Sequence, residues 1–355
     1  MDGATLQAAE RIAALGLEVE GMTLEDRSET PTPGWTRRTT TIVLRGGGHE
    51  GRGEDVTYQE PDQSHLQEHG PGLDLSGRYR FAELSRRLDG EDLCFGKEPE
   101  DHASRDYRRW GFESAALDLA LRQNGLSLAA VLGRELRPLR FVSSLGLGDP
   151  AGTAPLAERR ARSPGIGFKV DFSAGWTADL VAELRAFGGV DVVDFKGQYH
   201  GPYAGAPADA ELYRVVAAGL PEAWLEDPDL GGDCAAALED HRGRLTWDAP
   251  LHSLADLEAR DEGLRCVNIK PSRFGRVLEL LAVYAWCQRR GIAMYAGGQY
   301  ELGVGRDQIQ YLAALFHPDA PNDCAPRDFN RAPLPATLPA SPLAPRAAPT
   351  GFALA

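Results

Sequence analysis

Between Gly167 and Lys270 the chain repeats one pattern, a short apolar run that ends at or near a charge. The runs are Gly167-Phe168-Lys169-Val170-Asp171, Val190-Asp191-Val192-Val193-Asp194, Ala223-Trp224-Leu225-Glu226-Asp227-Pro228, Leu245-Thr246-Trp247-Asp248 and Cys266-Val267-Asn268-Ile269-Lys270. Runs this short make poor helices and fair strands buried on both faces. The intervening segments are long enough for the crossover helices that parallel strands need. Amphipathic patterns fall where those helices belong: Thr177 to Phe187 with Thr177 as N-cap, Ala208 to Ala218, the Val277/Leu280/Leu281/Tyr284 stripe, and Asp307 to Leu315. Arg140 to Leu145 and Ile292 to Tyr295 add a strand before and after the five runs. The pattern predicts a parallel α/β barrel, whose strand C-termini share one mouth where chemistry sits.

Asp194, Glu226 and Asp248 should therefore converge, with Lys169 and Lys270 nearby. Three converging carboxylates repel one another. A hard divalent cation with oxygen ligands, Mg²⁺ by default, would neutralise them. Lysines facing such a site suit proton transfer at carbon. Each charge taken alone reads as well as a solvated strand end; the series of five is what singles the site out.

Upstream, Leu6 to Leu15 reads as a short helix and residues 29–34 as a loop. Arg37 to Leu44 is β-rich and meets Gly46-Gly47-Gly48, a turn; no Gly-Lys-Ser/Thr follows to make it a phosphate loop. Gly146-Leu147-Gly148 misses the GxGxxG spacing, so no dinucleotide site is expected. Residues 58–75 are polar, and with Pro71, Gly70 and Gly72 close to His65 and His69 they read as a mobile loop rather than a metal helix. Phe81 to Leu88 and Tyr107 to Leu132 read as helices, the second broken at Gly125 and stopped at Gly133, with Glu113 and Asp118 as surface or capping charges. The loop Phe195-Lys196-Gly197-Gln198-Tyr199-His200-Gly201-Pro202-Tyr203 sits at the expected mouth, and His200 is a candidate contact there. The division expected is 1–137, 138–325 and a Pro/Ala-rich tail at 326–355, with Phe352 docking as a last strand.

Composition is that of an ordinary globular chain: 43% hydrophobic and 25% charged residues over 355. The net charge of −14 argues against nucleic acid as a partner. The cysteines at 94, 234, 266, 287 and 324 form no CxxC pair, which points to a reducing cytoplasm. No signal peptide or membrane span is expected. The expected partners are a small carboxylate substrate and further copies of the chain.

The order Lys, Asp, Glu, Asp, Lys on successive strands resembles the enolase superfamily. The nearest likeness is to its muconate-lactonizing-enzyme subgroup, which includes o-succinylbenzoate synthases and N-acylamino acid racemases. The likeness covers about residues 38 to 325. It is carried by Trp224-Leu225-Glu226-Asp227-Pro228, by Asn268-Ile269-Lys270-Pro271-Ser272-Arg273-Phe274-Gly275, and by Gly297-Gly298-Gln299-Tyr300-Glu301-Leu302-Gly303-Val304-Gly305-Arg306. It implies a modified TIM (β/α)7β barrel with an N-terminal α+β capping domain, and Mg²⁺ on Asp194, Glu226 and Asp248. It also implies acid/base lysines at 169 and 270, with Gln299 and Glu301 orienting or polarising the substrate; Lys196, where the family has Asn, points by alternation toward the same mouth and is expected to bind the substrate carboxylate or to compensate for the missing lysine. The implied reaction is a lyase or isomerase step through an enediolate, in which a lysine base works beside Mg²⁺.

The chain departs from the subgroup at the second strand, where Lys-x-Lys is usual and one lysine is missing. Either Gly167 replaces the first lysine, the preferred register, or Asp171 replaces the second. Lys196 and Ala249-Pro250 are further departures. They leave open elimination or racemisation, a non-catalytic carboxylate- and metal-binding protein on the same fold, and, more weakly, a sugar-phosphate enzyme with Gly297-Gly298 as its cradle.

Overall fold

The computed structural model describes residues 3–32, 34–199, 205–260 and 263–355. The chain begins with α1 (Gly3–Ala14) and β1 (Gly16–Val19), then a meander of β2 (Gly21–Thr32), β3 (Trp35–Gly46) and β4 (His49–Asp55). After α2 (Glu60–His69), β5 (Gly77–Arg80) returns to pair antiparallel with β1. α3 (Phe81–Asp89), α4 (Ser104–Gln123) and α5 (Leu128–Leu132) complete the cap. α4 lies directly on β4 because Gly51 and Gly53 carry no side chain: a Cβ on either would fall 2.1–2.3 Å from the helix backbone. The helix breaks after Gln123, and α5 stops at Gly133 in the left-handed conformation, φ 62°, as the glycines predict.

Seven parallel strands follow in sequential order, each joined to the next by helical segments. They are β6 (Val142–Gly146), β7 (Gly167–Asp171), β8 (Val190–Asp194), β9 (Trp224–Glu226), β10 (Leu245–Trp247), β11 (Cys266–Ile269) and β12 (Ala293–Ala296). The connecting helices are α6 (Ala154–Arg162), α7 (Ala178–Phe187), α8 (Ala210–Gly219), α9 (Cys234–Ala237), α10 (Leu254–Ala259), α11 (Pro271–Phe274) and α12 (Val277–Arg290), with α13 (Val304–Phe316) after β12. The eighth stave is only Asn322–Asp323. It bridges Phe141 on one side and Gly297 on the other, both parallel, and so closes the ring. The architecture is the expected modified (β/α)7β barrel with an α+β cap.

Four local expectations fail, each for a physical reason. Residues 60–69 form a helix, not a loop. Pro61 sits in the first turn, where its missing N–H costs nothing, and Gln63 anchors the helix by accepting from Thr40 Oγ1 at 2.7 Å. His65 Nε2 donates to the Phe95 carbonyl and stacks on His69, so both histidines are structural. Strand β2 runs through residues 29–32 as a polar edge strand, which leaves no hydrophobic alternation to read. Glu113 and Asp118 are buried. Glu113 pairs with Arg109, and Asp118 accepts the backbone N–H groups of Arg52 and Phe352. Phe352 is not a barrel strand: its ring plugs the cap against Trp110 and Tyr311.

The tail wraps the barrel, pairing Leu343 with Leu139 and fixing Phe141 through Ser341. Two buried groups fasten cap to barrel. The Arg37 guanidinium donates to the carbonyls of Val56, Thr57, Gln299 and Tyr300 at 2.6–3.1 Å. The Glu54 carboxylate accepts the amides of Leu302, Gly303 and Gly305 at the start of α13. The closing stave is held by Asn322, whose Oδ1 is 2.7 Å from His317 Nδ1.

Burial pushes the His317 imidazole down to about 4. Its folded value lies below its unfolded one, so the unfolded chain binds the extra proton between the two. Stability should therefore be full above pH ~6.5 and fall by about 3 kcal/mol as pH drops to ~4. Denaturant unfolding across that range should show the loss, and His317→Gln should remove that slope.

Candidate active site

The register of the strands sets the mouth. Asp171, Asp194 and Glu226 stand side by side on β7, β8 and β9, and Asp248 and Lys270 follow directly after β10 and β11. Above them lies a cavity of about 390 Å³ between cap and barrel, which Asp171, Asp194 and Lys270 line. From the barrel its wall takes Lys169, Asp171, Asp194, Lys196, Lys270 and Asp323; Tyr58, Asp101 and Tyr107 come from the cap.

Lys169 is 3% exposed and lies 2.5 Å from Glu226 Oε1, 3.5 Å from Asp194 Oδ2 and 3.6 Å from Asp323 Oδ2. Glu226 also accepts from the Tyr295 hydroxyl at 2.5 Å and from Asn268 Nδ2 at 3.2 Å. On the other flank Lys270 Nζ is 2.7 Å from Asp248 Oδ2. Arg273 donates to Asp248 Oδ1 at 2.9 Å, and Tyr199 bridges the two, donating to Asp248 and accepting from Arg273. Lys196 Nζ lies 3.1 Å from Asp171 and 3.4 Å from Asp194. All three predicted carboxylates and all three predicted lysines thus meet at one place.

The electrostatics follow from burial. Burial pushes the Glu226 carboxyl up to about 7, against the pull of Lys169. Burial alone would lower the Lys169 ammonium; Glu226, Asp194 and Asp323 outweigh it and hold Lys169 protonated. Burial alone would raise Asp248 too, but Arg273 and Lys270 hold it well below the usual carboxylate range.

Two sequence readings change here, those of Glu301 and Asp227. Gly167 does not line the cavity. A Cβ there would fall 2.0 Å from the Asp191 carboxylate, which Arg140 pairs at the opposite end of the strand. Of the strand's residues, Lys169 and Asp171 line the cavity. Glu301 is not on the cavity wall: its carboxylate accepts the Gln299 amide and pairs with Arg306 at 2.9 Å. Gln299 does face the cavity, and its Nε2 donates to the Tyr107 hydroxyl at 2.9 Å.

Asp227 does not point away as strand alternation suggests. Its backbone is left-handed, φ 47°, which turns the carboxylate back under the mouth beside Glu226 and Asp248. Both its oxygens are occupied, by the amides of Asp248 (2.8 Å) and Ala249 (2.7 Å). It is therefore a clamp on the Asp248 turn, and burial next to three other carboxylates raises its carboxyl strongly. Lys196 and Tyr300 are left-handed as well, at φ 53° and 56°, so backbone strain gathers at this mouth.

The sequence pattern does not single out Arg273, Tyr199 or Asp323. Arg273 is within its reach, three residues after Lys270 in a distinctive segment. Asp323 is not, because a two-residue stave leaves no hydrophobic run. His200 lies outside the described residues. Gly297 and Gly298 form no phosphate cradle: a Cβ on them would collide with Asn268, Lys270 and Glu301, so they are glycines to let those side chains in.

The donors suit a hard divalent cation: Asp194, Glu226 and Asp248 are all at most 3% exposed and offer only carboxylate oxygens. Among the described residues the compact acidic group, with ligand oxygens within 4.8 Å of one another, is Glu226, Asp227 and Asp248, and the amides of Asp248 and Ala249 occupy both Asp227 oxygens. Beside Glu226, the buried Oδ1 of Asn268 has no donor among the described residues.

A parallel barrel of this topology with acidic groups on its third, fourth and fifth strands defines the enolase-superfamily fold. Solved structures agree. The chain superposes on the muconate lactonizing enzyme from Pseudomonas putida with TM-score 0.64 at 18% identity, covering 95% of this chain and 97% of that one. It superposes on a member of the enolase superfamily from Enterococcus faecalis V583 with TM-score 0.65 at 20% identity, covering 87% and 86%. An N-succinylamino acid racemase from an Amycolatopsis species is 29% identical over 289 residues, 79% of this chain and 76% of that protein. These homologues and neighbours bear out the superfamily resemblance, and those with named activities are enzymes. The chain itself belongs to the family described as "Domain of unknown function (DUF8230)", whose N-terminal domain matches residues 10–131 and C-terminal domain residues 135–331. No helix among the described residues is long and apolar enough to cross a membrane.

Removing the Asp227 clamp leaves two amides at the Asp248 turn unpaired. Asp227→Ala should cost about 3 kcal/mol in denaturant unfolding, since each buried donor left without a partner costs roughly 1–3 kcal/mol. A loss under about 0.5 kcal/mol, the scale of an ordinary surface substitution, would show that the clamp is not needed.

Proposed function

We infer that the protein is a Mg²⁺-dependent lyase or isomerase that removes the α-proton of a small carboxylate substrate by way of an enediolate. The observation that carries this is the meeting of Asp194, Glu226 and Asp248 at one mouth with ammonium groups on both flanks. Asp194, Glu226 and Asp248 would hold Mg²⁺. When bound, the ion supplies positive charge against the substrate carboxylate as the α-carbon loses its proton.

The chain's own groups divide the remaining work. Lys169 belongs to the second strand of the barrel and Lys270 follows the sixth, so in an eight-stave ring they face each other across the cavity. A substrate between them presents one face to each amine, which suits proton removal on one side and delivery on the other. That arrangement favours racemisation or epimerisation over elimination on a single face. Lys196 and Gln299 reach the same cavity and would bind the polar groups of the substrate. Tyr58 and Tyr107 roof it from the cap, which keeps water from the carbanion. Glu301 acts at one remove, through Arg306 and the Gln299 amide.

The test is solvent deuterium exchange at the α-carbon, followed by NMR with Mg²⁺ in D₂O. The panel includes N-succinylamino acids, the class in the racemase's name, with N-acetylamino acids and 2-hydroxy acids. Exchange should fall by about 10²-fold or more in Lys270→Ala and in Lys169→Ala, the usual share of a general acid or base. Exchange that survives in the double variant, or no exchange on any member of the panel, overturns the reading.

A further inference from the structure

Two of the three carboxylates expected to hold the ion do not reach the cavity wall. Lys169 covers Glu226, while Lys270, Arg273 and Tyr199 cover Asp248. An incoming cation therefore meets amines before it meets its ligands. The contacts of Lys169 and Lys196 have a common plan. Lys169 touches Glu226 and Asp194, which belong to the expected ligand set, and Asp323, which does not. Lys196 touches Asp194, which belongs to the set, and Asp171, which does not. A buried ammonium stripped of its counter-charge is costly. If a cation takes Asp194 and Glu226, each amine needs another carboxylate within reach.

Resting on the cation-dependent reading above, we propose that Asp323 and Asp171 are exchange carboxylates. They take over Lys169 and Lys196 when a divalent cation occupies Asp194 and Glu226, so the ion enters while both amines stay in the cavity. The two groups suit the task. Their side chains are 20% and 33% exposed, so they hold an amine at the cavity edge without burying a new charge. Asp323 is fixed by its own amide, which donates to the Ala296 carbonyl at 2.7 Å. Asp171 is fixed by strand register, directly opposite Asp194. Lys270 lacks this plan: among the described residues its ion pair is with Asp248.

The test is Mn²⁺ binding by the full chain, measured by calorimetry and by the electron paramagnetic resonance of free Mn²⁺. Lys169→Met removes the built-in competitor and should tighten Mn²⁺ binding about tenfold. Asp323→Asn should weaken it about fivefold in the wild-type background and by less than about twofold in Lys169→Met, the coupling expected of contacting residues. Asp171→Asn and Lys196→Met form a second, independent cycle with the same expected sign. Lys270→Met should show no coupling to Asp323→Asn.

If Asp323→Asn weakens binding as much or more in the Lys169→Met background, Asp323 is a plain negative charge and the proposal fails. It fails too if Lys169→Met weakens binding. If neither the wild type nor any variant binds Mn²⁺, the cation-dependent reading itself fails, a result distinct from uncoupled but tight binding. The substitutions are close in shape, and loss of fold in one cycle leaves the other to decide.

Discussion

Asp194, Glu226 and Asp248 are packed into a barrel mouth where water cannot screen them, and their mutual repulsion is the constraint the surrounding structure answers. At low dielectric, neighbouring carboxylates cannot all stay ionised without compensating positive charge. The structure supplies that charge from three directions: Lys169 from β7, Lys196 from the loop after β8, and Lys270 with Arg273 after β11. The outcome differs from carboxylate to carboxylate. Asp248, with two cations and a tyrosine on it, is held firmly ionised. Glu226, with a single amine and the deepest burial, rises to about 7. The same amines line the cavity between cap and barrel.

The cap is part of this arrangement. Arg37 and Glu54 grip the backbone between Gln299 and Gly305 with buried, charge-assisted hydrogen bonds. That grip fixes Gln299, which reaches the Tyr107 hydroxyl across the cavity. Cap and barrel also share one continuous apolar core, in which Ile12 and Phe112 of the cap pack with Leu280 and Tyr284 of the barrel. Strained backbone at Lys196, Asp227 and Tyr300 lies along the same rim. Strain is tolerated where the surrounding hydrogen bonds over-determine the conformation, and Asp227, with both oxygens bound, is the clearest case.

The second strand separates this chain from the pattern it resembles. With Gly167 facing the Arg140–Asp191 pair, the mouth receives one lysine and one aspartate from β7. Lys196 brings a further amine from the next loop, held by that same aspartate. Lys196 sits on a left-handed residue, φ 53°, of the loop after β8. A carboxylate and an amine now share the space, and this is what gives Lys196 two partners.

Much of this is legible in the sequence. Short apolar runs ending in charges mark the parallel strands, because a strand buried on both faces must be apolar throughout and its polar groups are left to its ends. The convergence of Asp194, Glu226, Asp248, Lys169 and Lys270 follows from that alone. Polar or very short elements are not legible: β2 is a solvent-facing edge, α2 hides behind its proline, and the closing stave is two residues long. Nor can alternation place Asp227, Glu301 or Gly167, because a single left-handed residue or a one-layer shift in register reverses where a side chain points. Local pattern determined which residues share an end of the barrel. Only the closed fold decided which carboxylate faces which amine, since those distances are set by register, by loop strain and by the cap, none of which is written in any one segment.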